Sequence, residues 1–314
     1  MPAVLMLRAL GLGDFLTGVP AYRALRRAYP DAETVLAAPE ALRPLAALTG
    51  AIDRLLPTGE LRPIPWDGPP PDVAVDLHGN GPASHRSVDA TGAATRMMYA
   101  SAAAPDVAGP WWDDDEHEVG RWCRLVEWWG VPADPGDLLL RAPAAEPQVR
   151  RAAVVHPGAA FPARRWPPDR FAAVARALAA EGHPVTITGT AGERDLAAAV
   201  AEGAGLPAAA VLAGTTGLTG LAALVADAAV VVSNDTGVSH LATAYGVPSV
   251  TLFGPVSPAL WGPPEDGPHV ALWHGTGGRP GDAHGGEPDP RLLRITVEEV
   301  LAALAGLRQP AGRR

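Results

Sequence analysis

Residues 227–254, DAAVVVSNDTGVSHLATAYGVPSVTLFG, constrain the fold of this chain more than any other segment. The apolar, β-branched run 230–232 has the pattern of a buried parallel strand. The polar turn SNDTG follows, then a helix over about 238–245 and a second apolar run, SVTLF. This order predicts a βαβ unit whose polar turn lies at the carboxyl end of a strand. That edge is where open α/β sheets bind their ligands.

The polar turn of this unit suits an anion. The first turn of a helix presents N–H groups and the positive end of the helix dipole, which favour a phosphate. His240 lies four residues after Thr236, so both side chains can face one ligand. Asp235 or Thr236 can equally be a plain helix cap, and His240 a core histidine. The spacing alone leaves both interpretations open.

The same alternation of strands and helices extends along the rest of the chain. It begins with an apolar strand at 3–8 and one helix kinked at Pro20, and is interrupted by the proline-rich segment 131–150. It restarts at AAVVHPG and includes a helix at 218–226, with a long Gly/Pro-rich loop at 274–290. The pattern predicts an α/β protein of two Rossmann-like domains that face each other across a cleft. We expect an N-terminal domain, a linker, and a C-terminal domain that ends in a helix, with the bounds 1–140, 141–150 and 151–314.

Composition narrows the class of protein. The chain of 314 residues has a net charge of −9 and no long run of basic residues, which argues against a nucleic-acid partner. Its single cysteine, Cys123, excludes an intramolecular disulfide and fits a reducing compartment. Arg8 and Asp14 interrupt the apolar N-terminus, which lacks a basic start and is interpreted as a strand and turn rather than a signal peptide. We therefore expect a cytoplasmic protein.

Asp14 is the candidate for acid–base chemistry in the N-terminal half. It follows a turn that contains Gly11 and Gly13, at the end of the first strand. A carboxylate there could take a proton from a substrate hydroxyl, or it could only cap the helix that follows. The two glycines lack a third at the spacing of a dinucleotide fingerprint, so that interpretation is weak.

Two clusters in the C-terminal half could bind a nucleotide. In HPGAAFPARRWPP, the guanidinium of Arg164 or Arg165 suits a diphosphate, although two adjacent arginines can also be a solvated surface pair. In GTAGERD, Glu193 could accept ribose hydroxyls or could be a favourable charge at a helix start.

Other polar segments have plainer interpretations. The run DDDEHE at 113–118 could bind a hard cation, but it is more typical of a solvated helix start. Trp111 and Trp112 could stack on a sugar, although packing is the commoner role of tryptophan. Cys123 lies in the middle of a predicted helix, and no Ser-His-Asp order or HExxH spacing is present, so we do not expect nucleophilic catalysis.

Together these motifs resemble glycosyltransferase family 9, which includes the ADP-heptose:lipopolysaccharide heptosyltransferases. The resemblance covers nearly the whole chain and rests on LRALGLGDFLTG, VDLHGNG, HPGAAFPARRWP, GTAGERD and VVSNDTGVSHLATAYG. It implies a GT-B fold and an inverting, metal-independent sugar transfer that needs no cofactor. The implied donor is a nucleotide-diphospho-sugar, ADP-linked and with heptose as the candidate sugar, bound by the C-terminal domain.

The resemblance also assigns roles to individual positions. Asp14 matches the catalytic base, Glu193 matches a ribose-binding glutamate, and Arg164 stands where the family has a phosphate-binding lysine. The matches to the diphosphate-binding motif are Asp235, Thr236, Gly237 and His240, and those to the adenine-contacting segment are Thr216, Gly217 and Leu218. Gly158 and Ala159 replace hydroxyl residues of the family, which leaves the sugar and base preference open.

The implied partners are the donor and a glycan or small-molecule acceptor, with membrane contact only through that acceptor. The candidates for acceptor binding are Gly13, His78, Asn80, His85 and Arg86, of which the last four lie in the polar turn 78–86 predicted after a strand at 73–77. Two other functions stay open at this point. The chain could bind a nucleotide-sugar without transferring it, or, on a weaker basis, it could be a NAD-dependent oxidoreductase.

Overall fold

The computed structural model describes residues 2–276 and 281–308. The chain divides into two compact units, unit 1 (Met1–Arg141) and unit 2 (Ala142–Arg314). Part of the loop predicted over 274–290, residues 277–280, and the last residues, 309–314, lie outside the described residues. Each unit is an α/β fold with a sheet of its own.

Unit 1 is built on a five-stranded parallel sheet in the order β3-β2-β1-β4-β5. Its strands are β1 (Ala3–Leu7), β2 (Glu33–Ala38), β3 (Arg54–Pro57), β4 (Val73–Asp76) and β5 (Thr95–Met97). Its helices are α1 (Leu12–Thr17), α2 (Val19–Ala28), α3 (Arg43–Leu48), α4 (Ala83–Asp89) and α5 (Glu118–Trp128). All residues of the central strand β1 are buried, as expected for a parallel strand that helices cover on both faces.

Unit 2 also has a five-stranded parallel sheet, in the order β10-β9-β8-β6-β7. Its strands are β6 (Ala153–His156), β7 (Val185–Ile187), β8 (Val230–Asn234), β9 (Ser249–Leu252) and β10 (His269–Leu272). Its helices are α6 (Pro168–Ala180), α7 (Arg194–Ala204), α8 (Leu218–Ala226), α9 (Gly237–Ala244), α10 (Pro258–Trp261), α11 (Pro290–Arg294) and α12 (Val297–Arg308). The βαβ unit predicted at 227–254 is therefore present as β8, α9 and β9.

The two strand orders define where each sheet opens toward a ligand. In unit 1 the chain leaves β1 toward β2 on one side and later returns to β4 on the other, so the order reverses between β1 and β4. In unit 2 the reversal lies between β6 and β8. At such a switch point the loops that follow the two strands diverge and leave a crevice at their carboxyl ends.

The helix after β1 differs from the expectation. The sequence predicts one helix with a kink at Pro20, whereas the structure has two helices, α1 and α2, separated at Gly18. Pro20 lies in the first turn of α2, where a missing N–H leaves no hydrogen bond unmade. The proline therefore fits the start of a helix rather than its interior.

Three further elements, α4, β5 and β10, differ from the prediction or were not predicted. The polar turn predicted after the strand 73–77 is shorter than expected, because α4 begins at Ala83 and includes Ser84 and His85. The edge strands β5 and β10 were not predicted either. Within 2–276 and 281–308, no helix combines the length and the apolar character needed to cross a bilayer.

Candidate functional site

Polar residues that the sequence singled out lie at both switch points. In unit 1, Asp14 follows β1, and His78 and Asn80 follow β4. In unit 2, Arg164 follows β6 and Asp235 follows β8. The topology therefore places each group at the edge of its sheet where ligands bind in open α/β folds.

Arg164 and Asp235 form an ion pair in unit 2. Arg164 Nη2 donates to Asp235 Oδ2 at 2.7 Å and to the Asp235 carbonyl at 2.6 Å. The side chain of Asp235 is 5% exposed and that of Arg164 is 28% exposed. The neighbouring arginine has another role, since Arg165 donates twice to the carbonyl of Ala159 and closes the turn between them. Of the two arginines, Arg164 is the one joined to the motif after β8.

Two polar atoms of this ion pair are buried without a hydrogen-bond partner among the residues that the structure describes. They are Asp235 Oδ1 and Arg164 Nε. A buried polar atom without a partner is costly, and such atoms in a native protein often mark the place of a ligand. The main-chain N–H of Asp235 is used, because it donates to the carbonyl of Leu252 at 3.0 Å.

Asn234 clamps the loop after β6 to the end of β8. Its Nδ2 donates to the carbonyls of Pro157 and Gly158, at 2.8 and 3.3 Å, and its Oδ1 accepts from the N–H of Trp166 at 3.0 Å. Asn234 is fully buried, so all these bonds form away from water. The clamp fixes both ends of the segment that carries Arg164.

The start of α9 has the helix cap that the sequence offered as one interpretation of this turn. Thr236 is the N-cap, and its side-chain oxygen accepts from the N–H of Val238 at 3.4 Å, which is a long contact. Gly237 begins the helix, and the Ser239 hydroxyl donates to the carbonyl of Thr236 at 2.7 Å. The ring of His240 packs edge-to-face on Trp261, with the centroids 5.9 Å apart. A ligand at this helix start would meet the main-chain N–H of Gly237 and an imidazole.

Glu193 caps its own helix start. Its Oε2 accepts from the N–H and the hydroxyl of Thr190, at 2.8 and 2.9 Å, which completes a capping box. Its carboxylate also lies over Gly158, where any Cβ would overlap it. Any larger residue at this position would push the Glu193 carboxylate away from the loop after β6.

The segment 212–218 lies beside the turn that carries Glu193. The N–H of Gly214 donates to the carbonyl of Gly189 at 3.0 Å. Thr216 donates to Gln148 Oε1 at 2.9 Å, Gly217 is the N-cap of α8, and Leu218 begins that helix. Unit 2 thus gathers all the predicted donor-binding residues around the carboxyl ends of β6, β7 and β8.

His156, the last residue of β6, lies among these residues. Its Nδ1 is 2.9 Å from the hydroxyl of Thr188, at the end of the neighbouring strand. Burial lowers the pKa of His156 to about 4, against an opposing effect from the carboxylate of Glu193. At neutral pH the ring is uncharged and can accept or donate a single hydrogen bond on each nitrogen.

Asp14 is the third residue of α1, in unit 1. Its side chain is 30% exposed, and its Oδ1 lies 3.8 Å from Nη2 of the buried Arg8. A dinucleotide would place its pyrophosphate at this helix start, where the Asp14 carboxylate repels it. The geometry therefore disfavours NAD binding after β1 and leaves the Asp14 carboxylate partly exposed.

The residues proposed to contact an acceptor differ in accessibility. Gly13, His78 and Asn80 are partly exposed and Arg86 is exposed, whereas His85 is buried at 3% exposure. His85 Nε2 lies 3.7 Å from Oδ2 of Asp76, itself fully buried. His85 was expected on a polar turn, but α4 turns it into unit 1.

Trp111 and Trp112 line an open pocket of about 640 Å³ in unit 1. The indole of Trp111 is 57% exposed. Trp112 instead packs edge-to-face on Tyr99 at 5.3 Å and donates to Asp114 Oδ1 at 2.8 Å. Of the acidic run at 113–118, Asp113 to Asp115 are exposed, as expected for a solvated helix start. Glu118 differs from that expectation, because it is buried at 4% exposure.

Neither the cysteine nor the clusters of potential metal ligands indicate a second reactive site among the described residues. Cys123 is buried, and its burial raises the pKa of the thiol to about 12, so it is not a nucleophile at neutral pH. Within the described ranges, no three histidine, cysteine or acidic side chains are grouped so as to hold a metal ion.

Three residues at the switch points had no predicted role: Arg8, Asn234 and His156. Each is a polar residue at or just after the end of a strand that is otherwise apolar. That position was a usable signal, because a buried polar group at a strand end needs several partners. The partners themselves come from distant parts of the chain and could not be read locally.

Comparison with known proteins identifies the family that the motifs of this chain resemble. The glycosyltransferase family 9 (heptosyltransferase) family model matches residues 110–274, just over half of the chain. Lipooligosaccharide heptosyltransferase 2 of Haemophilus influenzae is 34% identical over 157 residues, which cover 47% of this chain and 44% of that protein. The chain thus matches less than half the length of this curated relative.

Solved structures match over nearly the full length. E. coli ADP-heptose LPS heptosyltransferase II has a TM-score of 0.77 at 24% identity, covering 97% of this chain and 98% of its own. A family 9 glycosyltransferase of Veillonella parvula has a TM-score of 0.78 at 20% identity, covering 98% and 97%. These likenesses confirm the predicted α/β fold of the GT-B type.

Proposed function

The chain belongs to glycosyltransferase family 9, and we propose that it is an inverting, metal-independent glycosyltransferase. Unit 2 binds a nucleotide-diphospho-sugar, with ADP-heptose as the candidate donor, and unit 1 binds the acceptor, a glycan or a small molecule. The observation that carries the proposal is the Arg164–Asp235 pair at the switch point of unit 2, within the segment that matches the family. A solved relative with this fold is described as an ADP-heptose enzyme, which supports the choice of donor.

The donor diphosphate is assigned to the start of α9. The main chain offers the N–H of Gly237 there, since those of Val238 and Ser239 donate to Thr236. Thr236, His240 and Arg164 add side-chain donors. Asp235 takes a different part from the one its motif suggests, because a carboxylate repels a diphosphate. It holds the guanidinium of Arg164 in place. Its Oδ1, which has no hydrogen-bond partner among the described residues, accepts a hydrogen bond from a hydroxyl of the donor sugar.

The nucleoside is assigned to the carboxyl ends of β6 and β7. The Oε2 of Glu193 is occupied by Thr190, so a ribose hydroxyl would donate to Oε1. The main chain of Thr216, Gly217 and Leu218 lies beside this turn and would contact the base. The open carboxyl ends of these strands suit a nucleoside.

The reaction forms one bond and breaks one. The acceptor oxygen attacks the anomeric carbon, the bond from that carbon to the diphosphate breaks, and the acceptor proton moves to Asp14. Because attack and departure occur on opposite faces, the anomeric configuration inverts. Arg164, His240 and the N–H of Gly237 stabilise the charge that develops on the leaving diphosphate, a role that metal ions fill in other transferases.

The acceptor is assigned to the part of unit 1 around Asp14. Gly13, His78, Asn80 and Arg86 lie on or near the loops that follow β1 and β4, and they remain the candidate contacts. The buried His85 would act on these loops only through its neighbours. The exposed indole of Trp111 offers a flat apolar surface of the kind that stacks on a sugar ring.

The first test is thermal unfolding of the purified protein with ADP, UDP, GDP, dTDP or NAD, each with EDTA present. A ligand at about 100 times its dissociation constant stabilises by roughly 2.7 kcal/mol, which is a clear rise in melting temperature. We expect ADP to stabilise the protein with or without EDTA, and His240→Ala to abolish the effect. Stabilisation by NAD alone would instead favour an oxidoreductase.

The second test follows turnover with ADP-heptose and candidate acceptors, by release of ADP. Asp14→Asn should lower kcat by at least about 100-fold, the usual contribution of a general base, while ADP affinity stays unchanged. Full turnover in this variant would remove Asp14 from the mechanism. Donor binding with no turnover against any acceptor would favour the non-catalytic binding protein.

A further inference from the structure

Arg8 is fully buried at the carboxyl end of β1, and its guanidinium is hydrogen-bonded on every nitrogen. Its Nε donates to the carbonyl of Asp14 and its Nη1 to the carbonyl of Leu77. Its Nη2 donates to the Thr17 hydroxyl at 2.9 Å and to Glu118 Oε1 at 3.0 Å. Arg8 therefore ties together β1, α1, the loop after β4 and the start of α5.

Two carboxylates share the charge of Arg8, and they are not equivalent. Glu118 Oε1 is 3.0 Å from Nη2, whereas Asp14 Oδ1 is 3.8 Å from the same nitrogen. The Glu118 side chain is 6% exposed and the Asp14 side chain is 30% exposed. Glu118 is therefore the stronger ion-pair partner of Arg8, because the attraction between charges strengthens as their distance and their exposure to water decrease.

We infer that Glu118 is a positioning residue for Asp14: as the preferred counter-ion of Arg8, it keeps the guanidinium from capturing the Asp14 carboxylate. Arg8 meanwhile holds Asp14 by its main-chain carbonyl, which fixes where the side chain emerges from α1. The main chain of Asp14 is thus fixed, while its carboxylate has only a 3.8 Å contact with the guanidinium. That contact is longer than a hydrogen bond, so the lone pairs of the carboxylate stay available to a substrate proton. Its catalytic relevance depends on the proposed function of Asp14.

Glu118 is built to keep its negative charge. Its carboxylate also accepts from Arg121 Nη1 and from the indole N–H of Trp122, the latter at 2.8 Å. Burial would raise the pKa of Glu118, but Arg8, Arg121 and these hydrogen bonds together hold it below the ordinary value. The ring of Trp122 lies under Arg8, 4.6 Å from the guanidinium carbon, and keeps water away from the pair.

The other charged or titratable groups near Arg8 do not substitute for Glu118. Tyr22 of α2 is buried, and burial raises the pKa of its hydroxyl so that it stays neutral. Asp76 of β4 is fully buried and interacts with Arg8, but burial raises the pKa of its carboxyl to about 6, so it loses its charge at a higher pH than Glu118 does. His78 carries a pKa lowered by burial and by Arg8, so it is neutral at pH 7. Glu118 is therefore the buried partner with a firm negative charge.

The test measures the protonation of Asp14 directly. Full-length protein labelled with ¹³Cγ-aspartate is titrated by NMR, and the signal of Asp14 is identified by its loss in Asp14→Asn. In Glu118→Gln the charge of Arg8 is left to Asp14, so the titration midpoint of that signal should fall by about one pH unit, a tenfold change in proton affinity. An unchanged midpoint would overturn the inference.

Two further variants make the result decisive. Glu33→Gln removes a paired glutamate at the opposite, amino end of the same sheet, where Glu33 Oε1 is 2.8 Å from Arg54 Nε, and it should leave the midpoint unchanged. Glu118→Asp keeps the buried charge but withdraws it by one methylene, so an intermediate shift is expected. If Glu118→Gln does not fold, judged by circular dichroism, Glu118→Asp decides, and its having the wild-type midpoint would overturn the inference.

The readout separates this inference from the proposed function. The NMR titration needs no substrate, so it can fail even if Asp14→Asn abolishes turnover. Conversely, normal turnover by Asp14→Asn would refute the base assignment and leave the titration result standing. If the inference about Glu118 and the assignment of Asp14 as the base are both correct, Glu118→Gln should lower kcat at pH 7. It should also shift the acid limb of the pH–rate profile to lower pH, with little change in ADP affinity.

Discussion

The Arg164–Asp235 pair shows how an arginine can bind phosphate at a position where the family resemblance implies a lysine. Arg164 carries its positive charge on a planar fork, and one arm of that fork is already bound to the side chain and main chain of Asp235. Less side-chain freedom is then lost when a phosphate binds, because the guanidinium is held in advance. A lysine has no second arm to be held in this way, so the aspartate and the arginine work as a unit.

Arg164→Met should weaken ADP binding by about 10- to 100-fold, the value of one charged hydrogen-bonding group. Arg164→Lys keeps the charge without the fork and should lie between Arg164→Met and wild type. Isothermal titration calorimetry with ADP measures both. Arg176→Ala removes an equal charge from an exposed position on α6 and should leave the affinity unchanged, so similar losses in both variants would point to overall charge instead.

His156 predicts a pH-dependent stability. Its pKa is about 4 in the folded protein and 6.5 when unperturbed, so between these values the unfolded chain binds more protons. Folding stability therefore decreases as the pH falls from 6.5 to 4, by about 3 kcal/mol for this group alone.

His156→Asn removes that contribution. Urea unfolding should show that the stability difference between wild type and His156→Asn shrinks by about 3 kcal/mol from pH 7 to pH 4. A difference that stays constant over this range would show that His156 is equally protonated in both states, against the burial seen in the structure.

The candidate site shows what can be read from single residues. Asp14, Arg164 and Asp235 were selected because each is polar and follows a predicted strand, and the structure places each at a switch point. The pairing of Arg164 with Asp235 could not be predicted, since it depends on which strands are neighbours. His85 shows the converse, because a local polar pattern does not reveal that a helix will turn one of its members inward.

Secondary-structure elements were predictable where periodicity and end signals agreed. The predicted helix 218–226 corresponds to α8, and the predicted unit around 227–254 is present as β8, α9 and β9. The missed strands β5 and β10 lie at the edges of their sheets, and every residue of β10 is only partly buried. An edge strand has one partner and an incomplete cover, so its sequence carries a weaker apolar signature.

The break between α1 and α2 depends on one close approach. A Cβ at Gly18 would overlap the ring and hydroxyl of Tyr22, which is fully buried one turn further along α2. Glycine is needed here for space, since its backbone angles are ordinary helical ones.

Gly18→Ala should destabilise the protein by about 1–3 kcal/mol, the usual result of overfilling a packed site. Chemical denaturation gives the value. In a Tyr22→Leu background the same substitution should cost less, because the clash is relieved. Equal costs in the two backgrounds would mean that the added methyl group acts through the backbone alone.

At the level of the whole chain, each unit has its own sheet and its own buried core. A saturating nucleotide should therefore stabilise one unit selectively. We expect calorimetry to resolve two unfolding transitions and ADP to raise only the one that belongs to unit 2. At about 100 times the dissociation constant the gain of roughly 2.7 kcal/mol corresponds to several degrees for a unit of this size.

The transitions can be assigned with variants already described. Gly18→Ala should lower the transition of unit 1, and at the same ADP concentration Arg164→Met should reduce the ADP effect on the transition of unit 2 by about half or more. If ADP raised the transition that Gly18→Ala lowers, donor binding would have to be reassigned to unit 1.

The two strand orders share a core. Numbered within each unit, the sheet of unit 1 reads 3-2-1-4-5, and that of unit 2 reads 2-1-3-4-5 from its other edge. In both, the second strand lies on one side of the first, and two later strands lie on the other side. Unit 1 has an additional edge strand beside its second strand, and unit 2 has one beyond its fourth strand. The loop after the fourth strand of unit 1 occupies the topological place of the loop after the third strand of unit 2. The crevice beside the first strand is therefore kept whichever edge of the sheet carries the additional strand.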